Sequence, residues 1–245
     1  MIDLHNHIAF GMDDGSKDLT ESKDMIQEAL NQGVNSIVLT PHFNPSRNDL
    51  EEFITKRDEV ASILRNEGLI NIKTGAEVFL TSNLRDIDVG RLSFEDSDYI
   101  LIELSTQIMP LGLESQLLSI MDYGLIPILA HVERYPYLLE NPKLMIDLIN
   151  HGVLFQVNTS TFMDSSKKGL VRACVKHNLI HLVSSDAHNM GIRPMNTGIV
   201  MDVIEKEFGS DFVNYLKDNA RKVINNEVIN VYEPGSLKKL FGKYR

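Results

Sequence analysis

The sequence predicts an α/β protein built as a distorted, TIM-like (β/α)7 barrel, and three observations carry that prediction. Short β-branched apolar runs alternate with helical patterns along the chain. From the third run on, they begin at Ile72, Tyr99, Ile126, Val153 and Ile180, a constant spacing of 27 residues. That is the length of a strand, a loop, a helix and a return loop, as parallel neighbours require. The runs are also nearly continuous in apolar residues, as strands covered on both faces are.

The first strand is read at Ile2 to Leu4. Asp18 and Glu21 then resemble a capping box opening a helix through Met25, Ile26, Ala29 and Leu30 that stops at Gly33. The remaining strands are Ser36 to Thr40, Ile72 to Thr74, Tyr99 to Ile102, Ile126 to Ala130, Val153 to Val157 and Ile180 to Ser184. Gly124 and Gly152 fall between apolar helical segments and the strands that follow, where helix-stop glycines belong. Val228 to Tyr232 reads as one further short strand. A doubly wound open sheet is the competing arrangement, but it needs a Gly-rich phosphate-binding turn after strand one, and the sequence has none there.

No Gly/Ser linker or Pro-rich tract divides the 245 residues, so residues 1–245 read as one domain, and the 43% hydrophobic content is enough for a sizeable core. No apolar run reaches the ~18 residues of a spanning helix. The start Met1-Ile2-Asp3-Leu4-His5 lacks signal-peptide features, and the single cysteine, Cys174, cannot form an intrachain disulfide; both point to the cytoplasm. A net charge of −10 argues against a nucleic-acid binder. The stretch Leu237 to Arg245 is basic and apolar; it reads as a solvated tail, with contact to an acidic partner or an anionic membrane surface as the alternative.

Chemistry-bearing residues follow every strand: His5 and His7 after the first, His42, Glu77, Glu103, His131 and Asn158 after the next five, and Asp186 and His188 after the last. The carboxyl ends of barrel strands are where βα loops converge on a site. Alternate residues of an extended segment share a face, so His5 with His7, and Asp186 with His188, each aim at one point. Asp14, in the loop Met12-Asp13-Asp14-Gly15, can swing over the same mouth. Five of the eight histidines sit at strand ends; His151, His177 and His181 do not and read as structural or solvated. Imidazole and carboxylate without thiolate suit borderline divalent ions such as manganese, iron or zinc. A cysteine phosphatase needs an arginine six places after its nucleophile; six places after Cys174 stands Ile180.

With these residues in place, the chain resembles the PHP (polymerase and histidinol phosphatase) superfamily. Within it, the chain looks most like the manganese-dependent protein tyrosine phosphatases of bacterial capsule and exopolysaccharide operons (the CpsB/YwqE type). The resemblance rests on Met1 to Gly15, Thr40-Pro41-His42, Glu77, Tyr99 to Glu103, the HVER segment His131 to Arg134, and Ser185 to Asn189 followed by Arg193. It implies a PHP phosphatase barrel holding three metal ions, most naturally Mn²⁺. His5, His7, Glu77 and Asp186 would hold one ion. Glu77, Glu103 and His131 would hold a second, and Asp14, His42 and His188 a third, with exchange possible between neighbours. Arg134 and Arg193 would bind phosphate oxygens, and His42 or His188 would protonate the leaving group. The implied substrate is phosphotyrosine on a membrane-associated bacterial tyrosine kinase. Val132 stands where the family usually has proline. A small-molecule phosphatase of the histidinol-phosphatase type, a PHP nuclease and a non-catalytic kinase-regulating module remain open alternatives, and the oligomeric state is not legible.

Overall fold

The computed structural model describes residues 1–240, 243 and 244. Its parallel strands are β1 (Ile2–Asp3), β2 (Ser36–Leu39), β3 (His42–Phe43), β4 (Asn71–Thr74), β5 (Glu77–Phe79), β6 (Tyr99–Glu103), β7 (Ile126–Leu129), β8 (Leu154–Asn158) and β9 (Leu182–Ser184). They form two pieces, β1-β2-β4 and β3-β5-β6-β7-β8-β9. The pieces make one curled sheet of seven strand positions, because β2 continues into β3 and β4 into β5. Pro41 interrupts the second position, where an N–H is missing from the ladder. Gly75 interrupts the third: a Cβ there would lie 2.6 Å from Phe94 Cδ1, so only glycine lets the ring pack so close. These two breaks distort the barrel.

Closure is thin. One parallel bridge, Asn6 to Ala187, joins the ends of the sheet. Asp186 N donates to His5 O and His7 N to Ala187 O, both at 2.8 Å. Beneath this seam the buried Asp3 carboxylate accepts from Ser185 N, Asn6 Nδ2 and Thr197 Oγ1. Burial pushes its pKa up against those donors. The seam that closes the barrel thus also fixes the two strand ends carrying His5, His7 and Asp186.

The long helices are α1 (Leu19–Asn31), α2 (Leu50–Asn66), α3 (Leu113–Met121), α5 (Pro142–Asn150), α7 (Lys168–Lys176), α8 (Thr197–Phe208) and α9 (Ser210–Ile224); α4 (Pro136–Leu139) and α6 (Thr159–Met163) are single turns. Asp18 caps α1 by accepting from Glu21 N at 3.0 Å. The reciprocal bond from Glu21 reaches Lys17 N, one residue earlier than in an ideal capping box. Gly124 and Gly152 follow α3 and α5 with φ of +81° and +98°. On β6, Tyr99, Leu101 and Glu103 share a face. Tyr99 and Leu101 pack with Leu4, Val38, Ile128, Leu154 and Leu182, and Val223 and Ile224 of α9 join that cluster. The interior is therefore solid, and Glu103 is where it turns polar.

Two expectations change. Val228 to Tyr232 is not a strand: the segment is irregular, and only Ile229 is buried. Its backbone finds no strand to pair with among the described residues. The C-terminal stretch is not simply a solvated tail, since Leu237 is buried and Lys239–Leu240 pairs antiparallel with Lys243–Tyr244. Phe241, Gly242 and Arg245 of that stretch lie outside the described residues.

Candidate metal centre at the carboxyl end of the barrel

Glu77 opens β5 and sits at the centre of the site. Its Oε2 lies 3.2 Å from His5 Nε2, 3.2 Å from His7 Nε2 and 3.0 Å from His42 Nδ1, and its Oε1 lies 2.8 Å from His131 Nε2. Glu103, one strand on, is 3.6 Å from His42 and 3.7 Å from His131. Asp186 directs Oδ1 at His5, His7 and His188, all between 3.4 and 3.5 Å. Asp14 reaches His42 at 3.6 Å and His188 at 3.5 Å. All nine residues singled out from the sequence as ligands thus meet at one mouth. Six are buried; His42 and Glu103 are partly exposed, and Asp14 is exposed.

The tightest geometric groups are His7, Asp14, His42 and His188; His5, Glu77 and His131; His5, His7 and Asp186; and His42, Glu77 and Glu103. They overlap the family-implied sets without copying them, since His131 groups with His5, and Glu103 with His42. The groups fit divalent cations on an observation independent of any relative. Glu77 Oε2 is buried among three imidazole nitrogens yet makes no hydrogen bond, and His188 Nε2 is likewise buried and unbonded. His5 Nε2 and His7 Nε2 lie only 3.4 Å apart. Lone pairs converging in this way suit a shared cation.

Burial and the carboxylates together set the basicity of the imidazoles. Burial pulls His5 down, but the Glu77 and Asp186 carboxylates overcome it and hold its pKa at about 9. His7 and His42 are held up in the same way, chiefly by Asp13 and Glu77 respectively. Burial and the nearby Glu77 charge push Glu103 up to about 7. Burial and His7 push His188 down to about 4.

The partners that orient the histidines went unread in the sequence. Asp13 Oδ2 accepts from His7 Nδ1 at 2.7 Å and from His42 N at 2.9 Å. Gly15 locks that loop, because a Cβ there would lie 2.2 Å from His7 O. Gln156 Oε1 accepts from His131 N at 2.9 Å and lies 3.1 Å from His5 Nδ1, while Tyr135 OH lies 3.2 Å from His131 Nδ1. The strand period was the available signal for Gln156, two residues before Asn158 on one face of β8. Asn158 itself donates to Asp186 Oδ2 at 2.6 Å. His131 and Asp186 take φ of +33° and +53°, a conformation that non-glycine residues adopt at a cost and that clusters at functional sites.

Arg193 donates to Asp186 Oδ2 at 2.5 Å, and Arg134 approaches the same oxygen at 3.7 Å. Arg134 does not pair with Glu133, whose Oε1 accepts from Asn158 N and Thr161 Oγ1. Val132 is buried and packs into the core. His151 is exposed beside Glu114, and His181 is buried away from the mouth.

Fold and side chains together define a β/α-barrel protein with a His/carboxylate cluster that could hold metal at the mouth. The chain belongs to the CpsB/CapC family of capsular polysaccharide synthesis proteins, whose model matches residues 1–225. It is 33% identical to the tyrosine-protein phosphatase YwqE of Bacillus subtilis, over 99% of both chains. It is 33% identical to the tyrosine-protein phosphatase CpsB of Streptococcus pneumoniae, over 94% of this chain and 100% of that one. Among solved structures, a chain from the work on YwqE and CpsB, described as unique metal-dependent tyrosine phosphatases, matches with a TM-score of 0.87 and 32% identity. It covers 97% of this chain and 100% of that one.

Proposed function

We propose that this chain is a metal-dependent protein tyrosine phosphatase. Its substrate would be phosphotyrosine on a flexible segment of a membrane-associated bacterial tyrosine kinase that controls capsule or exopolysaccharide synthesis. Residues 1–245 act as one phosphatase domain, and manganese is the working ion. The observation that carries the reading is the convergence of five imidazoles and four carboxylates on one mouth, with two guanidinium groups at its edge. The names of the full-length relatives support the choice of substrate.

His5, His7, Asp14, His42, Glu77, Glu103, His131, Asp186 and His188 are the residues that would hold the ions. Divalent cations bound there supply Lewis acidity, which neutralises phosphate charge and activates water. The protein's own groups do the rest. Arg134 and Arg193 both contact an Asp186 oxygen that faces away from His5 and His7, so a short swing brings either guanidinium onto phosphate oxygens. Asp13, Gln156 and Tyr135 hold His7, His5 and His131 in orientation. A phenolate, with a pKa of about 10, leaves with less acid help than an alkoxide. His42, the more exposed of His42 and His188, is the better placed of the two to meet the leaving group, and it would donate a proton only while its ring is not ligating an ion.

The test has two stages. Chelation, checked by elemental analysis, should abolish turnover of an aryl phosphate, and Mn²⁺ should restore it. Activity without metal would end the reading. Then kcat/KM is compared for phosphotyrosine peptides, phosphoserine peptides and histidinol phosphate under one metal condition. Phosphotyrosine should lead; a lead of about tenfold for histidinol phosphate would make the chain a small-molecule phosphatase.

A further inference from the structure

Phe79 is an anomaly at the mouth. It stands two residues beyond Glu77 on β5 and pairs in register with Glu103, so its ring shares the inward face with Glu77, one layer nearer solvent. At this end of the barrel that face is otherwise given to imidazoles and carboxylates. The ring is half buried, yet it stands apart from the three apolar clusters of the core. A large apolar side chain left without apolar packing inside a polar mouth calls for an occupant.

The space beside it is defined. A cleft of about 500 Å³ is lined by Met12, Phe43, Phe79, Asn44, Arg47 and Asn48, and it runs into His42, Asp13 and Glu103 of the centre. Its inner end is therefore the His/carboxylate cluster. Its walls carry the half-buried Phe79 ring and the half-buried, polarisable Met12 side chain. Arg47 and Asn48, both exposed, complete the lining. The lining thus combines part of the His/carboxylate cluster, an apolar ring with a thioether, and exposed polar side chains. Those three kinds of lining match a phosphate, an aromatic ring and a peptide main chain.

We infer that this cleft is an aryl subsite, in which Phe79 and Met12 hold the phenyl ring of a phosphotyrosine whose phosphate occupies the His/carboxylate centre. The inference rests on the phosphatase reading and adds the source of its preference for aromatic phosphates. Ring on ring and sulfur on ring are the contacts that an aryl group makes and an alkyl group forfeits.

Two measurements test it on the metal-loaded protein. In the unaltered chain, calorimetry should show phenylphosphonate binding about tenfold more tightly than methylphosphonate. Equal affinities would overturn the subsite whether or not any variant folds. In Phe79→Ala, the ratio of kcat/KM for an aryl phosphate to that for an alkyl phosphate should fall about tenfold, mostly through the aryl KM, and Phe79→Tyr should keep the ratio. An unchanged ratio in a folded Phe79→Ala protein would equally overturn it. Failure of the phosphatase reading looks different: the unaltered, metal-loaded chain would turn over neither phosphate.

Discussion

His5 and His181 are both wholly removed from solvent, yet they end at opposite extremes of basicity. Burial pulls each imidazole down. His5 is recovered by the Glu77 and Asp186 carboxylates and stands at about 9. His181 has no carboxylate and stays at about 4. Its Nδ1 accepts from Phe155 N at 2.9 Å, and its Nε2 has no hydrogen-bond partner among the described residues. One ring belongs to the carboxyl end of the barrel, the other to the segment entering β9. Burial alone therefore does not separate the histidines of the mouth from His181; burial together with carboxylate company does.

The largest effect should come from removing that company. Glu77 faces four imidazoles, and Glu77→Ala should cost more activity than the ~100-fold typical of losing an outer partner of a metal ligand. His177→Ala, away from the mouth, should keep most activity. Steady-state kinetics on both folded variants decides the matter, and equal losses would break the contrast between the two kinds of histidine. Asp13→Asn comes next. It keeps the shape of the loop but removes the charge that holds His7, so metal affinity or activity should fall by about 10- to 100-fold. Metal titration of the variant measures it, and unaltered affinity would mean that His7 needs no orienting charge.

The same contrast explains what was legible in the sequence. Strand ends were readable, because a parallel barrel repeats at one interval and its loops converge on one face. His5, Glu77, Glu103, His131 and Asp186 all fell out of that regularity. Asp13 was hidden beside Asp14: two adjacent carboxylates look equivalent in sequence, and only the loop's path, with Gly15 pressed against His7 O, decides which one accepts from His7 Nδ1 and which one reaches His42 and His188. Gln156 and Tyr135 were hidden because polar side chains on strands and turns carry no metal-ligand signature. Phe79 was hidden for the opposite reason: an apolar residue in a strand reads as core. The breaks at Pro41 and Gly75 were visible as residues, but the need for glycine at position 75 depends on the Phe94 ring packed against it.

Cys174 offers a milder test. Burial, with the nearby Glu133 charge, pushes its thiol up to about 12, far from the thiolate a nucleophile needs. Cys174→Ser should leave turnover within a few-fold, and alkylating reagents should do little to the folded protein. A large loss in a folded variant would restore the thiol to the chemistry.

The smallest effect on activity, and the sharpest test of the contrast, belongs to His181. Its folded pKa of about 4 lies below the ordinary value of 6.5, and burial is the cause. Well above pH 6.5 the ring is neutral in the folded and unfolded chains alike, and it adds no pH dependence. As pH falls from 6.5 towards 4, the unfolded chain takes up a proton that the folded chain refuses, so stability is lost across that window. The slope from this one group is at most about 1.4 kcal/mol per pH unit. His181→Asn keeps an acceptor for Phe155 N and removes the titration. Urea unfolding of both proteins at several pH values, in one metal condition, isolates the difference, because the other histidines cancel. The stability of the unaltered chain relative to the variant should be level well above pH 6.5 and decline steadily as pH falls from 6.5 to 4. A difference that does not vary with pH would show that His181 is not held neutral by its surroundings, and that a buried histidine lacking a carboxylate can still carry its charge in this fold.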